Sequence, residues 1–275
     1  MKPKQLRVYK VRQKIFMSFS MSKLFDSFSP LIQYMRTWAA ISLLCLVVAW
    51  SFPAQAASRI DPQLEQQVLQ IIREHPEAII ESVQAYQQQQ QQKLKQAQQA
   101  FLQDFKTNPQ TVIGESPTTG STQSKTVLIE FSDFQCPYCA EAHKTLKQLL
   151  AKYPDKVKLV YKNLPLISIH AEALPSATAA WAAYQQGKFW EYHDALFTNQ
   201  KQLGQALYLD IAKKLNLDLG KFKRDLNLAT PAITKDVQLA EKLGVSGTPF
   251  FIINSPTFSG VAQLADIENI LTAAK

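Results

Sequence analysis

The sequence predicts an α/β domain built as strand, helix, strand, a long helical insertion, two further strands and a closing helix, with a separate helical segment ahead of it. Three observations predict it. Apolar, β-branched runs at 126–131, 157–162 and 250–253 have the length and composition of buried strands. One amphipathic helix separates the first two, and residues 171–243 are helical in pattern almost without a break before the third. Ahead of all this, residues 62–105 repeat apolar side chains at helical spacing.

Taken in order, the chain starts with an export pattern. Trp38 to Trp50 is an apolar run of 13 residues, preceded by Arg36 and followed by Ala54-Gln55-Ala56, which supplies an A-x-A cleavage site. Such a run is short for a membrane span, which takes about 20 apolar residues; an uncleaved anchor is the alternative. Cys45 follows Leu43-Leu44 and lacks the small residue that lipid attachment would want. The basic stretch before it is long, so translation starting at Met17, Met21 or Met35 is compatible with the same signal. The whole chain of 275 residues carries a formal net charge of +8, but residues 1–56 hold 8 of its 30 basic and 1 of its 22 acidic residues, leaving +1 on the rest. The basicity therefore belongs to export, and no nucleic-acid partner is inferred from it. Removal of residues 1–56 leaves two cysteines for a compartment in which disulfides persist, the periplasm or its equivalent.

Asp61-Pro62 is a helix cap followed by proline in the first turn, and Leu64, Val68, Ile71 and Ile72 continue the helix to about Glu74. Pro76 opens a second helix through Ile79, Ile80, Val83 and Tyr86, along the glutamine run 87–92, to Leu94, Phe101 and Phe105. The glutamines read as a solvated helix surface. A segment of this size cannot hide its apolar stripe alone, so it must pack either on the following domain or on another subunit; self-association of residues 61–105 is the expectation, and folding back onto the domain is the alternative. Residues 106–125 read as a loop around one short strand, Thr111-Val112-Ile113. The domain boundaries expected are thus 1–56 for the signal peptide, 57–106 for the helical segment and 107–275 for the catalytic domain, with its insertion at about 165–243.

The strand ending at Phe131 leads through Cys136-Pro137-Tyr138-Cys139 into a helix reaching about Lys152, after which Tyr153-Pro154-Asp155 turns the chain into the second strand. Strand, helix and strand in this order make a parallel unit. Within the insertion Ala177, Ala180, Trp181, Tyr184, Trp190, Leu196 and Phe197 are core candidates. Gly247-Thr248-Pro249 launches the third strand, Asn254-Ser255-Pro256 turns it, residues 257–259 return, and 264–274 close as a helix.

Two cysteines at this spacing can form a disulfide that is readily reopened. At a helix N-terminus the free N–H groups and the macrodipole favour an anion, so Cys136 should be the acidic, accessible thiolate and nucleophile, ahead of Cys139. Pro137 fits a first helical turn, where its missing N–H costs nothing. A zinc site would need two further ligands. His75, His143, His170 and His193 show no ligand spacing, and His143, four residues after Cys139, reads as a packing histidine that could tune the thiols. No metal and no cofactor other than the Cys136–Cys139 pair is expected.

The run Phe131-Ser132-Asp133-Phe134-Gln135-Cys136-Pro137-Tyr138-Cys139, followed about 100 residues later by Gly247-Thr248-Pro249-Phe250-Phe251, resembles the DsbA family of exported thiol:disulfide oxidoreductases over roughly residues 109–275. The N-terminal helices resemble, more weakly, the oligomerising extensions of ScsC-like members. The resemblance implies a thioredoxin-like fold with a helical insertion, Cys136 as attacking and Cys139 as resolving sulfur. It also implies Pro249 as a cis-proline facing them, Thr248 as a peptide-binding and thiol-tuning neighbour, Pro137 and Tyr138 as supporting residues, and Glu130 as a buried acid for proton transfer. An exposed strand-end carboxylate is the other reading of Glu130. Its expected clients are unfolded or reduced exported proteins, reoxidation coming from a membrane partner, DsbB-like or VKOR-like. An oligomeric isomerase or reductase, and a copper- or zinc-sequestering protein, remain alternatives. Glutaredoxin shares Cys-Pro-Tyr-Cys but not the export signal or the insertion.

Overall fold

The computed structural model describes residues 61–256 and 258–273. The expected signal segment and Thr257 of the expected returning strand lie outside them. The chain divides into two compact units, one ending at Ala78 and one beginning at Ile79.

In the first unit, helix α1 (Pro62–Glu74) starts where the sequence places its cap. Asp61 Oδ1 accepts from the Gln63 N–H at 2.9 Å, a capping bond worth about 1 kcal/mol. No residue of α1 is buried. Leu64, Val68, Leu69, Ile71 and Ile72 are each 40–57% exposed. Helix α2 (Pro76–Thr107) begins after His75 and runs into the second unit, where the glutamines at 87–92 are exposed and Phe101 and Phe105 are buried.

A five-stranded sheet of order β1-β3-β2-β4-β5 organises the second unit. Its strands are β1 (Thr118–Gly120), β2 (Val127–Ser132), β3 (Lys158–Asn163), β4 (Phe250–Asn254) and β5 (Ser259–Ala262). β2 and β3 pair in parallel, joined by helix α4 (Pro137–Lys152), and the other pairs are antiparallel. Every residue of β2 is buried, as a strand covered on both faces must be. On one face Leu128 packs with Ala142, Leu146 and Leu149 of α4 and with Ile267 and Leu271 of the closing helix α10 (Leu264–Ala273). On the other, Val127, Ile129 and Phe131 pack against Phe101 and Phe105 of α2 and against Ala240 and Leu243.

That second layer corrects the expected boundary at 106/107. The C-terminal part of α2, which the sequence reading set apart from this domain, covers that face together with Ala240 and Leu243. Asn254 Nδ2 donates to the Phe105 carbonyl at 2.9 Å and Gln98 Nε2 to that of Leu243 at 2.8 Å. The stretch from Leu94 to Phe105 is therefore part of the catalytic domain's core rather than of a detached segment.

Two local expectations also change. Thr111-Val112-Ile113 is not a strand but lies in helix α3 (Pro109–Ile113), which follows Asn108 with Pro109 in its first turn and buries Ile113. A β-branched triplet is too short for its strand preference to outweigh that helix start and the burial. The edge strand comes later, at β1, where Gly120 has φ +83° and a Cβ would collide with the Val157 carbonyl oxygen. The returning strand β5 starts at Ser259, two residues beyond the expected start at 257, because the turn is closed by the Ser255 N–H to the Phe258 carbonyl at 2.7 Å.

The insertion comprises α5 (Ala173–Tyr184), α6 (Phe189–Thr198), a 3-10 turn (Gln200–Gln202), α7 (Gln205–Lys214), α8 (Leu219–Leu226) and α9 (Thr230–Leu243). Ala177, Ala180, Leu196 and Phe197 are buried as expected, while Trp181, Tyr184 and Trp190 are half-buried at its edge. Phe134, Cys136, Cys139 and Tyr161 share a core cluster with this insertion, so it roofs the cysteine pair.

Candidate active site

Cys136 is the N-cap of α4, with Pro137 in the first turn and Cys139 one turn inside. Short backbone bonds fix this turn: the Cys136 N–H donates to the Asp133 carbonyl and the Cys139 N–H to that of Cys136, each at 3.1 Å. The approach from β2 is fixed by side chains outside the Cys-Pro-Tyr-Cys stretch itself. Asp133, fully enclosed, accepts from the Gln135 N–H at 2.8 Å and from the Leu166 N–H at 3.0 Å, and its Oδ2 lies 2.8 Å from His170 Nδ1. Gln200 Nε2 donates at 2.8 Å to the carbonyls of both Phe134 and Cys136. Gln135 in turn accepts from the Glu172 N–H at 2.6 Å, which ties the cysteine loop to the insertion.

Opposite the cysteines stands the start of β4. The Thr248–Pro249 peptide is cis. Because Phe250 pairs with Phe131, this peptide lies beside the end of β2, and Cys136 Sγ donates to the Thr248 carbonyl at 3.4 Å. Thr248 and Pro249 are half-buried, while Tyr138 is largely exposed on the rim.

The two sulfurs differ less in exposure than in acidity. Cys136 is 4% exposed and Cys139 0%, so the expected contrast in accessibility is small. Both are free thiols in this structure. The Cys136 thiol is brought down from 9.0 to about 5, chiefly by a hydrogen bond from the Cys139 thiol; Thr248 and the backbone of Cys139 and Tyr138 add to it, against the cost of burial. Cys139 is pushed up, by the same bond and by burial. Backbone groups at the helix start thus contribute, as the dipole argument predicts, but the hydrogen bond from the Cys139 thiol leads.

Glu130 settles between its two readings on the buried one. It is 2% exposed, its Oε1 has no hydrogen-bond partner, and burial raises its carboxyl from 4.5 to about 7 while the Ser132 hydroxyl acts in the opposite sense. It faces the side of β2 that carries Ser132, and pairs in register with Tyr161 of β3 and Phe251 of β4. Tyr161, wholly buried, is shifted upward by burial and then by the charges of Glu130 and Cys139, which puts it beside both. A carboxyl near neutrality behind a pair of thiols can hold or release one proton at the pH where thiol exchange runs.

The structure therefore brings Cys136, Pro137, Tyr138, Cys139, Thr248 and Pro249 together, with Glu130 buried in β2 beside Tyr161, which also neighbours Cys139. Sequence reading assigned no supporting role to Asp133 and Gln135, which it quoted only as part of the motif run, or to His170, and did not single out Gln200. It also missed a grouping of histidines. His143 and His193, on α4 and α6, have ring centroids 5.0 Å apart, and with Asp194 they offer donor atoms within 4.8 Å of one another. This is the one such cluster found among the described residues, and it does not include the cysteines.

Comparison with known proteins agrees with this fold. The thioredoxin family profile matches residues 111–273. Among solved structures, a thioredoxin-like oxidoreductase from Silicibacter pomeroyi is 29% identical with a TM-score of 0.53, covering 61% of this chain and 97% of that one. The catalytic domain of Proteus mirabilis ScsC is 26% identical with a TM-score of 0.52, covering 65% and 97%. The thiol-disulfide exchange protein α-DsbA2 of Wolbachia pipientis, 22% identical with a TM-score of 0.54 over 65% and 97%, shares the fold. Among curated sequences, proteins named Na(+)/H(+) antiporter NhaA from Salinispora tropica and Salinispora arenicola are 38% and 35% identical over 51% and 56% of this chain. The match spans only 22% and 24% of their length, and no helix among the described residues here is long and apolar enough to cross a membrane.

Proposed function

The chain belongs to the thioredoxin family, and from that premise we propose that it is an exported thiol:disulfide oxidoreductase that introduces disulfides into secreted proteins through Cys136 and Cys139. One observation carries the reading: an acidic thiol at a helix start, bonded to a buried high-pKa thiol and set against the Thr248 carbonyl. A low thiol pKa stabilises the reduced pair and makes its disulfide a good oxidant.

In the proposed reaction a substrate thiolate attacks Cys136 of the disulfide, a new S–S bond forms, and the pair's own S–S bond breaks with its electrons on Cys139. Glu130 gives Cys139 its proton. A second substrate thiolate then attacks the substrate sulfur of the mixed disulfide and expels Cys136 as a thiolate. The substrate has lost two electrons and the enzyme has gained them. Backbone groups at Thr248 and Pro249 would hold the substrate as an added strand, and a DsbB-like or VKOR-like membrane protein would restore the disulfide.

The test is oxidation of a reduced, denatured substrate protein by the stoichiometrically oxidised enzyme. Wild type should transfer its disulfide and Cys136→Ser should not; equal inactivity of both would dismiss the reading. Export and oxidase direction are read by thiol trapping in cells, where an oxidase is found oxidised outside the cytoplasm.

A second reading, an oligomeric isomerase or reductase, is favoured by the exposed apolar residues of α1 and by Ile79, Ile80, Val83 and Tyr86, each 47–62% exposed. Light scattering of the chain lacking its signal, beside one starting at Gln87 that keeps Phe101 and Phe105, decides it. A shift from oligomer to folded monomer supports self-association, and two monomers count against it.

A further inference from the structure

Proton transfer at Glu130 raises a question of access. The carboxyl projects from β2 on the side of α4 and α6, the residue 2% exposed, with Oε1 unpaired. Each time it protonates Cys139 it must be recharged from solvent, and among the described residues no side chain is hydrogen-bonded to Oε1 to do so. Beside it is a cavity of about 170 Å³, lined by Glu130 together with His193, His143, Asp194, Lys147 and Trp190. That volume admits several water molecules. The polar lining grades outward: side-chain exposure is 4% at His193, 13% at His143, 36% at Asp194 and 65% at Lys147.

The two imidazoles are suited to passing protons along this lining. His193 Nδ1 lies 3.3 Å from Asp194 Oδ1, and its Nε2 is buried without a partner. His143 Nε2 lies 3.6 Å from the same Asp194 oxygen. Burial lowers both histidines, His193 to about 4, so each is neutral near pH 7, and a neutral imidazole accepts at one nitrogen while donating from the other. The charged and titratable groups around them are Glu130 and Tyr161 from the sheet, Lys144 and Lys147 from α4, and Asp194 from α6.

We propose that this cavity is the proton exit of Glu130, with His193 and His143 as positioning residues that relay the proton between the buried carboxyl and solvent. The inference rests on the dithiol exchange reading above. The balance is simple. Cys139 leaves the disulfide as a thiolate, takes the Glu130 proton, and one solvent proton returns to Glu130 through the cavity.

The test compares wild type, His143→Gln, His143→Ala, Glu130→Gln and His143→Ala/Glu130→Gln for three quantities: the rate of substrate oxidation across pH, the equilibrium with glutathione, and the Cys136 pKa. Loss of the relay should slow oxidation about 10-fold near neutral pH, a modest part of what general acid catalysis supplies. Both histidine single variants should leave the glutathione equilibrium and the Cys136 pKa unchanged, and added imidazole should restore His143→Ala. In the Glu130→Gln background the histidine change should have no further effect. Unchanged rates in the single variants would overturn the proposal. So would a slowing that imidazole does not relieve, that persists in the Glu130→Gln background, or that comes with a shifted equilibrium, since these mark a structural role. Wild-type protein that fails to oxidise substrate would instead sink the exchange reading itself.

Discussion

Reducing the Cys136–Cys139 disulfide should stabilise the fold increasingly as pH rises, and the size of the effect follows from the Cys136 thiol. Its folded pKa of about 5 lies below the ordinary 9.0, so the unfolded reduced chain binds more protons between those values. Stability of the reduced form must then rise with pH through that window, and the gain is lost as pH falls through the folded value. At pH 7 the two states differ by about 2 pH units of proton binding, a ceiling of about 2.7 kcal/mol. Solvent screening at the mouth of the site brings this to about 2 kcal/mol. The oxidised form has no such titration, and a parallel comparison in the Glu130→Gln background removes the carboxyl's own titration near pH 7, so the difference between the two forms isolates the thiol. Urea unfolding of oxidised and reduced protein at pH 4 and pH 7 measures it: the reduced-minus-oxidised stability should increase by about 2 kcal/mol between the two. A difference independent of pH, or one that falls, would refute the assignment of an acidic Cys136.

Three further outcomes are expected. Replacing Cys139 removes the leading stabiliser of the Cys136 thiolate, so the thiolate absorbance of Cys139→Ala should titrate at higher pH than wild type, with Cys139→Ser, which keeps a donor, between them. Glu130→Gln should leave stability unchanged at pH 4 and raise it by about 3 kcal/mol at pH 8, because a carboxyl raised from 4.5 to about 7 costs the fold stability as pH climbs through that window; pH-dependent melts read it. Phe105→Ala should cost about 3–5 kcal/mol in urea unfolding, whereas Val83→Ser, at a 48% exposed position, should change stability by less than about 0.5 kcal/mol.

What was legible from the sequence was whatever one residue type or spacing specifies locally. The cysteine loop between a strand and a helix, the Asp61 and Pro76 helix starts, the burial of the insertion's alanines and the Thr248-Pro249 turn each follow from short-range chemistry. The cover on the second sheet face did not. Phe101 and Phe105 belong to a helix whose earlier turns are exposed, and periodicity alone does not tell a stripe that meets a sheet from one that meets solvent. The supports of the site were hidden for a related reason. Asp133, His170 and Gln200 are distant in sequence or sit in loops, and only the fold turns them inward as a set of paired donors and acceptors. His143 and His193 stand 50 residues apart on different helices, beyond any rule based on spacing within one turn. Glu130 is expected to be buried only through the family resemblance, with an exposed strand end as the other reading, and the burial of all of β2 decides between them.

The most direct test of the account is capture of the mixed disulfide. Cys139→Ser protein, unable to resolve the intermediate, is mixed with a peptide carrying one reactive disulfide, and the adduct is mapped by mass spectrometry under non-reducing conditions. The account predicts a single peptide linked to Cys136, formed at a rate that falls as pH drops through the Cys136 pKa, and no adduct with Cys136→Ser. An adduct that persists in Cys136→Ser, or none with either variant, would contradict it.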